Sequence, residues 1–595
     1  MNPSDLPPGS GKTARPGVGA PLQFRALPLR ILVVGRFGLE RNKFHRLDAS
    51  GVAGLLERTG PALSFRAADL LRADGTELSI QLTFRHRRDF KPAAVARAVP
   101  ELKRVLAARN APRPGSTVDG FRDLAAVHRA LTDAPAAQEQ ASATSAEPVQ
   151  SGRDGADSSG DDSIDRLLDM VDGPSASPGT TQETPDDPAR RALSGFISEV
   201  SRGSKRPTPS ASIAPEGLEA ILTAQIAAVL DHPDFRCLER SWTALRFLAR
   251  RIDQQARITI DILESEIDSV ADALEATVPE DDLDAAGPVR LVVDLNDYDA
   301  SDRDIARLRR LADFGASRRA VVLANAGSDF AGEAESGSLA AMHDPETRFA
   351  DDRFTAWRSL RDASNAVWLG LCLSRIALRD AHDDLPGRTS PANGARRIGQ
   401  PLDVGVAPAV ATLLAAAAAQ RGWPCVGRTT DQIVDNLVIV DSTVDDLEGP
   451  VRPALSVNAA DSVANAGLIT LVAERGRDQA RLLRMPSVRK ARDRESAFET
   501  ALPTVLFQSQ VVHGLQWNAD RLFSAGRSTD LRERVEAYLG SLIGETGPGS
   551  SAEVRLDSDD DGQPVLAIVV RSGADVAPGA SMHFDIPITG DDDGG

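Results

Sequence analysis

The sequence predicts an α/β fold of mixed α+β character, with two folded units on either side of a flexible linker. Three observations predict it. Short apolar runs alternate with amphipathic helical stripes in both halves of the chain. A stretch at 132–189 collapses to Ala, Ser, Gly, Pro, Asp and Thr, too poor in apolar side chains to offset its ordering entropy. The full length, 595 residues, exceeds what one hydrophobic core serves.

Residues 1–24 read as a low-complexity lead. The first unit, 25–131, opens with an apolar strand, Leu29 to Val34, ending at Gly35. Leu78, Ile80, Leu82 and Phe84 then alternate with Ser79, Gln81 and Thr83, the period-2 signature of a half-buried strand. Asp89-Phe90-Lys91-Pro92 opens a helix, Asp89 being the expected cap, with Val95, Val99, Leu102 and Leu106 as its stripe. A second short helix is expected over about 118–131. One island interrupts the linker: Ile164, Leu167, Leu168 and Val171, within 163–171, share one helical face. Such a face in an otherwise polar tether reads as a docking motif.

The second unit, 190–588, begins with a helix carrying Leu218, Ile221, Leu222, Ile226, Val229 and Leu230. Asp231 or His232 caps the next helix, with Pro233 in its first turn and Phe235, Leu238, Trp242 and Leu245 on its stripe. Ile258, Ile260 and Ile262 alternate with polar residues and predict a strand with one wet face. Val289 to Leu295 is more continuously apolar, as a central strand should be. Ser301 caps a helix bearing Ile305, Leu308 and Leu311, and Ala320 to Ala324 is the next strand, so a parallel pair with a crossover helix is expected. Val367 to Leu373 is a further strand, and Pro408 to Ala419 a helix ended by Gly422. Gln563–Val570 and Ser581–Ile588 read as two closing strands, before an acidic tail at 589–595.

The bulk chemistry excludes several function classes. A net charge of −18 disfavours nucleic acid, which needs clustered cations. The charge is uneven: between Arg25 and Arg113 there are 18 basic against 8 acidic side chains, an asymmetry that suits attraction between unlike surfaces of neighbouring copies. Cys237, Cys372 and Cys425 lie far apart, so neither zinc nor a disulfide framework is indicated. The longest apolar stretch, Val404 to Ala419, is alanine-rich, holds Pro408 and is too short to span a bilayer, and no signal-type apolar core opens the chain. A soluble, cytoplasmic protein is expected.

No catalytic constellation emerges. Gly9-Ser10-Gly11-Lys12-Thr13 mimics part of a P-loop, but Leu6 stands where Gly is needed and flanking prolines forbid the strand and helix. The eight histidines show no metal-ligand spacing, and there is no nucleophile elbow. Asp294 and Asp297 end a strand where α/β enzymes place catalytic groups, yet they lack a partner base. The expectation is no enzyme, no cofactor and no metal.

Two sets of motifs carry a resemblance. Leu27-Pro28-Leu29-Arg30-Ile31-Leu32-Val33-Val34-Gly35-Arg36-Phe37, Asp89-Phe90-Lys91-Pro92-Ala93-Ala94-Val95 and Val99-Pro100-Glu101-Leu102 resemble the small subunit of type VI secretion sheaths, the TssB or VipA family. Leu230-Asp231-His232-Pro233-Asp234-Phe235-Arg236-Cys237-Leu238-Glu239 with Trp242 and Leu245, Trp357-Arg358-Ser359-Leu360-Arg361 followed by Val367-Trp368-Leu369-Gly370-Leu371, and Arg421-Gly422-Trp423 resemble the large subunit, TssC or VipB. The resemblance implies a type VI sheath-like fold and a structural subunit of a contractile sheath, with both subunits fused in one bacterial cytoplasmic chain. It implies a helical homopolymer around an inner-tube protein, baseplate contacts, and recycling by an AAA+ unfoldase. Under it, 163–171 (Ile164, Leu167, Leu168, Val171) is the candidate unfoldase-docking helix. Val565, Leu566, Ile568, Val570, Phe584 and Ile586 mark the candidate inter-protomer strands, joined by β-augmentation. In that family the end of the small subunit and the start of the large one also supply strands, whereas the linker here lacks strong β formers. Fusion fixes a 1:1 ratio and raises the effective concentration of the two units toward the mM range. The alternatives are a non-polymerising scaffold or adaptor with a sheath-derived fold and, further off, an α/β enzyme.

Overall fold

The computed structural model describes residues 24–72, 76–109, 215–253, 256–280, 286–331, 345–382, 397–425, 432–440, 449–474, 476–523, 528–558, 563–577 and 579–587. The helix expected over 118–131, the linker with its island at 163–171 and the acidic tail lie outside the described residues.

The two units read from the sequence share one sheet. Its seven strands are β1 (Leu29–Gly35), β2 (Phe44–Arg46), β5 (Ile258–Glu264), β6 (Val289–Tyr298), β7 (Val321–Ala326), β8 (Leu369–Cys372) and β13 (Leu468–Ile469), in the order β13-β8-β7-β6-β1-β5-β2. Strand β1 of the first unit thus sits between two strands of the second. It runs parallel to both, with Ile31 opposite Ile260 on one side and Leu291 on the other. Its continuous apolar run is what two covered faces require. Ile31 and Val33 enter one core, Leu32 and Val34 the other, as the twofold alternation of a strand dictates.

The first core is filled by helices α4 (Pro215–Leu230), α5 (Pro233–Arg251), α8 (Ala407–Arg421) and α9 (Leu502–Trp517); the second by α6 (Val270–Thr277) and α7 (Asp302–Arg318). The first unit adds α1 (Gly51–Thr59), α2 (Pro92–Ala98) and α3 (Pro100–Arg109), with the hairpin β3 (Ala62–Ala68) and β4 (Glu77–Thr83). Smaller sheets are β9 (Arg375–Arg379), β10 (Leu402–Gly405) and β12 (Val451–Arg452), then β11 (Ile433–Val434), β14 (Leu471–Ala473) and β15 (Ala480–Leu482). Helix α10 (Ser528–Ile543) leads to a C-terminal sheet of β16 (Ser551–Ser558), β17 (Pro564–Arg571) and β18 (Ser581–Pro587).

Local signals held where chemistry is local. Ser301 Oγ accepts from Asp304 N at 3.3 Å and His232 Nδ1 from Asp234 N at 3.3 Å, capping α7 and α5. Gly422, at φ 75°, ends α8 in the left-handed conformation. The β6–α7–β7 unit is the expected parallel crossover.

Four expectations need correction. Pro100 lacks an amide proton, so the helix expected to run through Val95, Val99 and Leu102 breaks into α2 and α3, although all three side chains stay buried. Asp89 does not cap α2; its Oδ2 accepts from His86 N at 2.7 Å and closes the 3-10 turn Arg87–Phe90. Val367 and Trp368 belong to a 3-10 turn before β8. The polar face of β5 is not wet: Asp261 is fully buried, its carboxylate closed in by the side chains of Arg30 from β1 and Arg46 from β2.

Leu29, Ile31, Leu32, Val33 and Val34 are all buried, and at about 1.5–3 kcal/mol each their upper-limit contribution is of order 10 kcal/mol. Cleavage at a protease site engineered near residue 150 is therefore expected to leave the two pieces co-eluting by size exclusion. Their separation would show that β1 is not seated in the sheet.

Candidate assembly surfaces

The junction between the units is built on an ion triad around a buried carboxylate, Asp261. Arg30 of β1 donates from Nε to Asp261 Oδ2 at 2.6 Å and from Nη1 to the Gly287 carbonyl at 3.3 Å. Arg46 of β2 donates to the same carboxylate from the other side, Nε to Oδ1 at 2.8 Å and Nη2 to Oδ2 at 3.1 Å. Each neighbour of β5 thus supplies one guanidinium to a carboxylate that has no water contact. Arg30 is also closed in by Phe44, whose ring centre lies 4.9 Å from its guanidinium carbon.

Further bonds weld the first unit to the second. Glu264 accepts from Phe37 N at 2.7 Å and Leu39 N at 3.1 Å; burial pushes its carboxyl up, opposed by these amides. Trp242 Nε1 donates to the Phe37 carbonyl at 3.0 Å. Gln225 of α4 clasps the end of β3, accepting from Leu70 N at 2.6 Å and donating to the Ala68 carbonyl at 2.9 Å. Phe65 stacks on His232 with ring centres 4.1 Å apart. Arg290 donates to the Pro28 carbonyl at 2.9 Å and to Gln510, partners that carry no charge; burial therefore pushes its guanidinium down to about 10. His513 on α9, with burial as the first cause and Arg290 as the next, is pushed down to about 3.

The strand end where an enzyme would place its chemistry is occupied by structural bonds. Asp294 is buried and accepts from Tyr298 Oη at 2.5 Å and from Asn296 N at 3.0 Å and Nδ2 at 2.7 Å; burial raises its carboxyl to about 6. Asp297 is clamped by Arg240 at 2.6 Å and by Arg375 at 3.0 and 3.2 Å. The cavity beside them, about 420 Å³, is lined by five aspartates, Tyr298, Gly327, Ser328 and Arg375, with no histidine, cysteine or lysine among its lining residues. Among the described residues no His/Cys/Asp/Glu group has metal-holding geometry.

The C-terminal sheet collects the six strand residues picked from the sequence. Val565, Leu566, Ile568 and Val570 lie on β17, and Phe584 and Ile586 on β18, where Ile568 faces Phe584 and Leu566 faces Ile586. Strand β17 is the middle strand: β16 flanks it on one side and β18 on the other, both antiparallel. Its backbone edges are therefore both paired, and among the described residues no strand pairs with the outer edges of β16 and β18. One sheet face carries Val554, Leu566, Ile568 and Val570, all buried, and grades into Leu556, which is 42% exposed, beside the half-buried Phe584 and Ile586. Ile164, Leu167, Leu168 and Val171 lie outside the described residues.

Sequence reasoning missed the Arg30–Asp261–Arg46 triad and strand β16. The signals were an aspartate alone among isoleucines, an arginine inside an apolar strand, and the alternation of Ala552, Val554 and Leu556.

Known families match both units. Residues 18–125 match the type VI secretion system family VipA, and residues 215–489 match VipB, the EvpB tail sheath N-terminal domain. The chain is similar to the type VI secretion system sheath protein TssC1 of Pseudomonas aeruginosa, 25% identical over 177 residues, covering 27% of this chain and 36% of that protein. It is also similar to sheath protein TssB1 of the same organism, 37% identical over 67 residues, covering 11% of this chain and 38% of that protein. The chain thus spans little more than a third of the length of either relative. The C-terminal sheet lies beyond the matched residues. A VipA-type strand threaded through a VipB-type sheet is what one polypeptide carrying both domains would build, and the chain belongs to the type VI secretion sheath families as a fusion of the small, TssB-like and large, TssC-like units.

Proposed function

We propose that this chain is the structural subunit of the contractile sheath of a type VI secretion system, or of a related contractile injection machine, in the bacterial cytoplasm. The observation that carries the reading is β1 of the VipA-type unit inside the sheet of the VipB-type unit, which joins the two units 1:1 within each chain. Copies join through the outer edges of β16 and β18, each accepting a strand from a neighbour, so backbone hydrogen bonds hold the polymer and alternate side chains set its register. Force arises from rearranged contacts between packed copies, with no bond-making step in the chain. Among the described residues no helix is long and apolar enough to cross a membrane, which suits a polymer that slides around an inner tube and docks on a baseplate.

Negative-stain microscopy of the purified chain tests this: hollow helical tubes are expected, while monodisperse particles at every concentration and salt would favour a non-polymerising scaffold. An AAA+ unfoldase is the proposed recycling partner, gripping the 163–171 segment. Replacing Leu167 and Leu168 with Asp is expected to abolish its pull-down, and unchanged capture would remove this partner site.

A further inference from the structure

A cleft of about 820 Å³ opens between α1 of the first unit and α5 of the second. Its floor is apolar, made by Val52, Leu56, Phe90, Trp242, Ile258 and Ile260. Its rim carries Arg85, Arg87, Arg246 and Arg250, together with the carboxylates Asp48, Glu57 and Asp253. Asp48 is already engaged by Arg58 at 3.0 Å and by the Ser50 amide at 2.9 Å. None of the four rim arginines forms an ion pair with a described residue. Arg246 is half-buried, and its guanidinium is pushed down to about 10, first by burial and then by Arg87 and Arg250. Like charges crowded over an apolar floor are the complement of an acidic amphipathic segment.

The chain supplies such a segment. Asp161, Asp162, Asp165, Asp169 and Asp172 bring five carboxylates against the single Arg166, while Ile164, Leu167, Leu168 and Val171 recur at helical spacing. The connection that contains it is tethered at both ends close to the fold, because α3, which ends at Arg109, packs against α4, which starts at Pro215. About 50 residues on either side give an r.m.s. reach of ~40 Å, and an intramolecular ligand is presented at an effective concentration in the mM range.

We propose that the acidic segment Asp161–Asp172 docks in this cleft of its own chain, its apolar face on Val52, Leu56 and Trp242 and its carboxylates on Arg85, Arg87, Arg246 and Arg250. The docking straddles the junction of the two units and adds a second, salt-sensitive clasp to the one made by β1. It stands whether or not the same segment also serves an unfoldase.

The test uses a fluorescent peptide of residues 159–173, titrated by anisotropy against the full chain carrying L167D and L168D, so that its own segment cannot compete. Saturable binding is expected, weakened about tenfold or more by R246E with R250E, and weakened likewise when NaCl rises from about 50 to about 500 mM. No binding, or equal binding to the charge-reversed chain, would overturn the proposal. Should the charge-reversed chain fail to fold, hydrogen exchange decides: amides of 243–252 should exchange faster in the L167D/L168D chain than in the native one, and equal protection overturns the docking. A peptide that does not bind, coupled with loss of self-association in R246E/R250E, would give the cleft to a neighbouring copy and likewise overturn it.

Discussion

Replacing Asp261 with alanine is expected to cost the folded chain about 3–5 kcal/mol, the usual penalty for breaking a buried ion pair by removing one partner. The substitution removes the carboxylate that faces Arg30, whose side chain is 1% exposed and also donates to the Gly287 carbonyl at 3.3 Å. Arg46 suffers less, because its side chain is 43% exposed and turns to water. Urea denaturation followed by tryptophan fluorescence reads the loss. Removing both charges, with D261L and R30M together, should recover most of it, since apolar groups of similar volume often replace a buried pair without net cost. A neutral D261A would show that the triad does not hold β1 between β5 and β6.

Substituting lysine for Phe584 is expected to abolish polymerisation while leaving the single chain folded. Phe584 is half-buried on the edge strand β18, opposite Ile568. A lone chain can turn the ammonium to water, whereas a strand added along β18 would seal it in. At about 3 kcal/mol for an unpaired interfacial charge, the concentration needed for assembly rises roughly a hundredfold. Lysine on an edge is also the device by which sheets avoid unwanted pairing. Sedimentation separates polymer from free chain, and circular dichroism confirms the fold. Undiminished polymer from F584K would remove β18 from the interface.

These two sites were unequally legible in the sequence. Caps and stops such as Ser301, His232-Pro233 and Gly422 rest on bonds within a few residues, so their local pattern suffices. The continuous apolar run in β17 and the period-2 run in β18 were equally plain. The seat of β1 was not, because Arg30 meets Asp261 231 positions away, and an apolar run says that a strand is covered without saying by which partners. For the same reason the alternation in β5 suggested water on a face that β1 and β2 in fact close with arginines. Strand β16 was hidden by its charges: among its side chains only Val554 is buried, while Glu553, Arg555 and Asp557 face outward. Its presence turns an expected hairpin into a three-stranded sheet and moves the available edges from β17 to β16 and β18.

Strand exchange between copies is tested most directly by photo-cross-linking in mixed polymers. A photoreactive residue replaces His583, which lies exposed on β18, in unlabelled chain that is then assembled with an equal amount of isotope-labelled native chain. The account predicts cross-linked peptides of mixed mass, joining β18 of one copy to a backbone segment of another. Cross-links confined to peptides of a single molecule, in polymers seen to be intact, would contradict it.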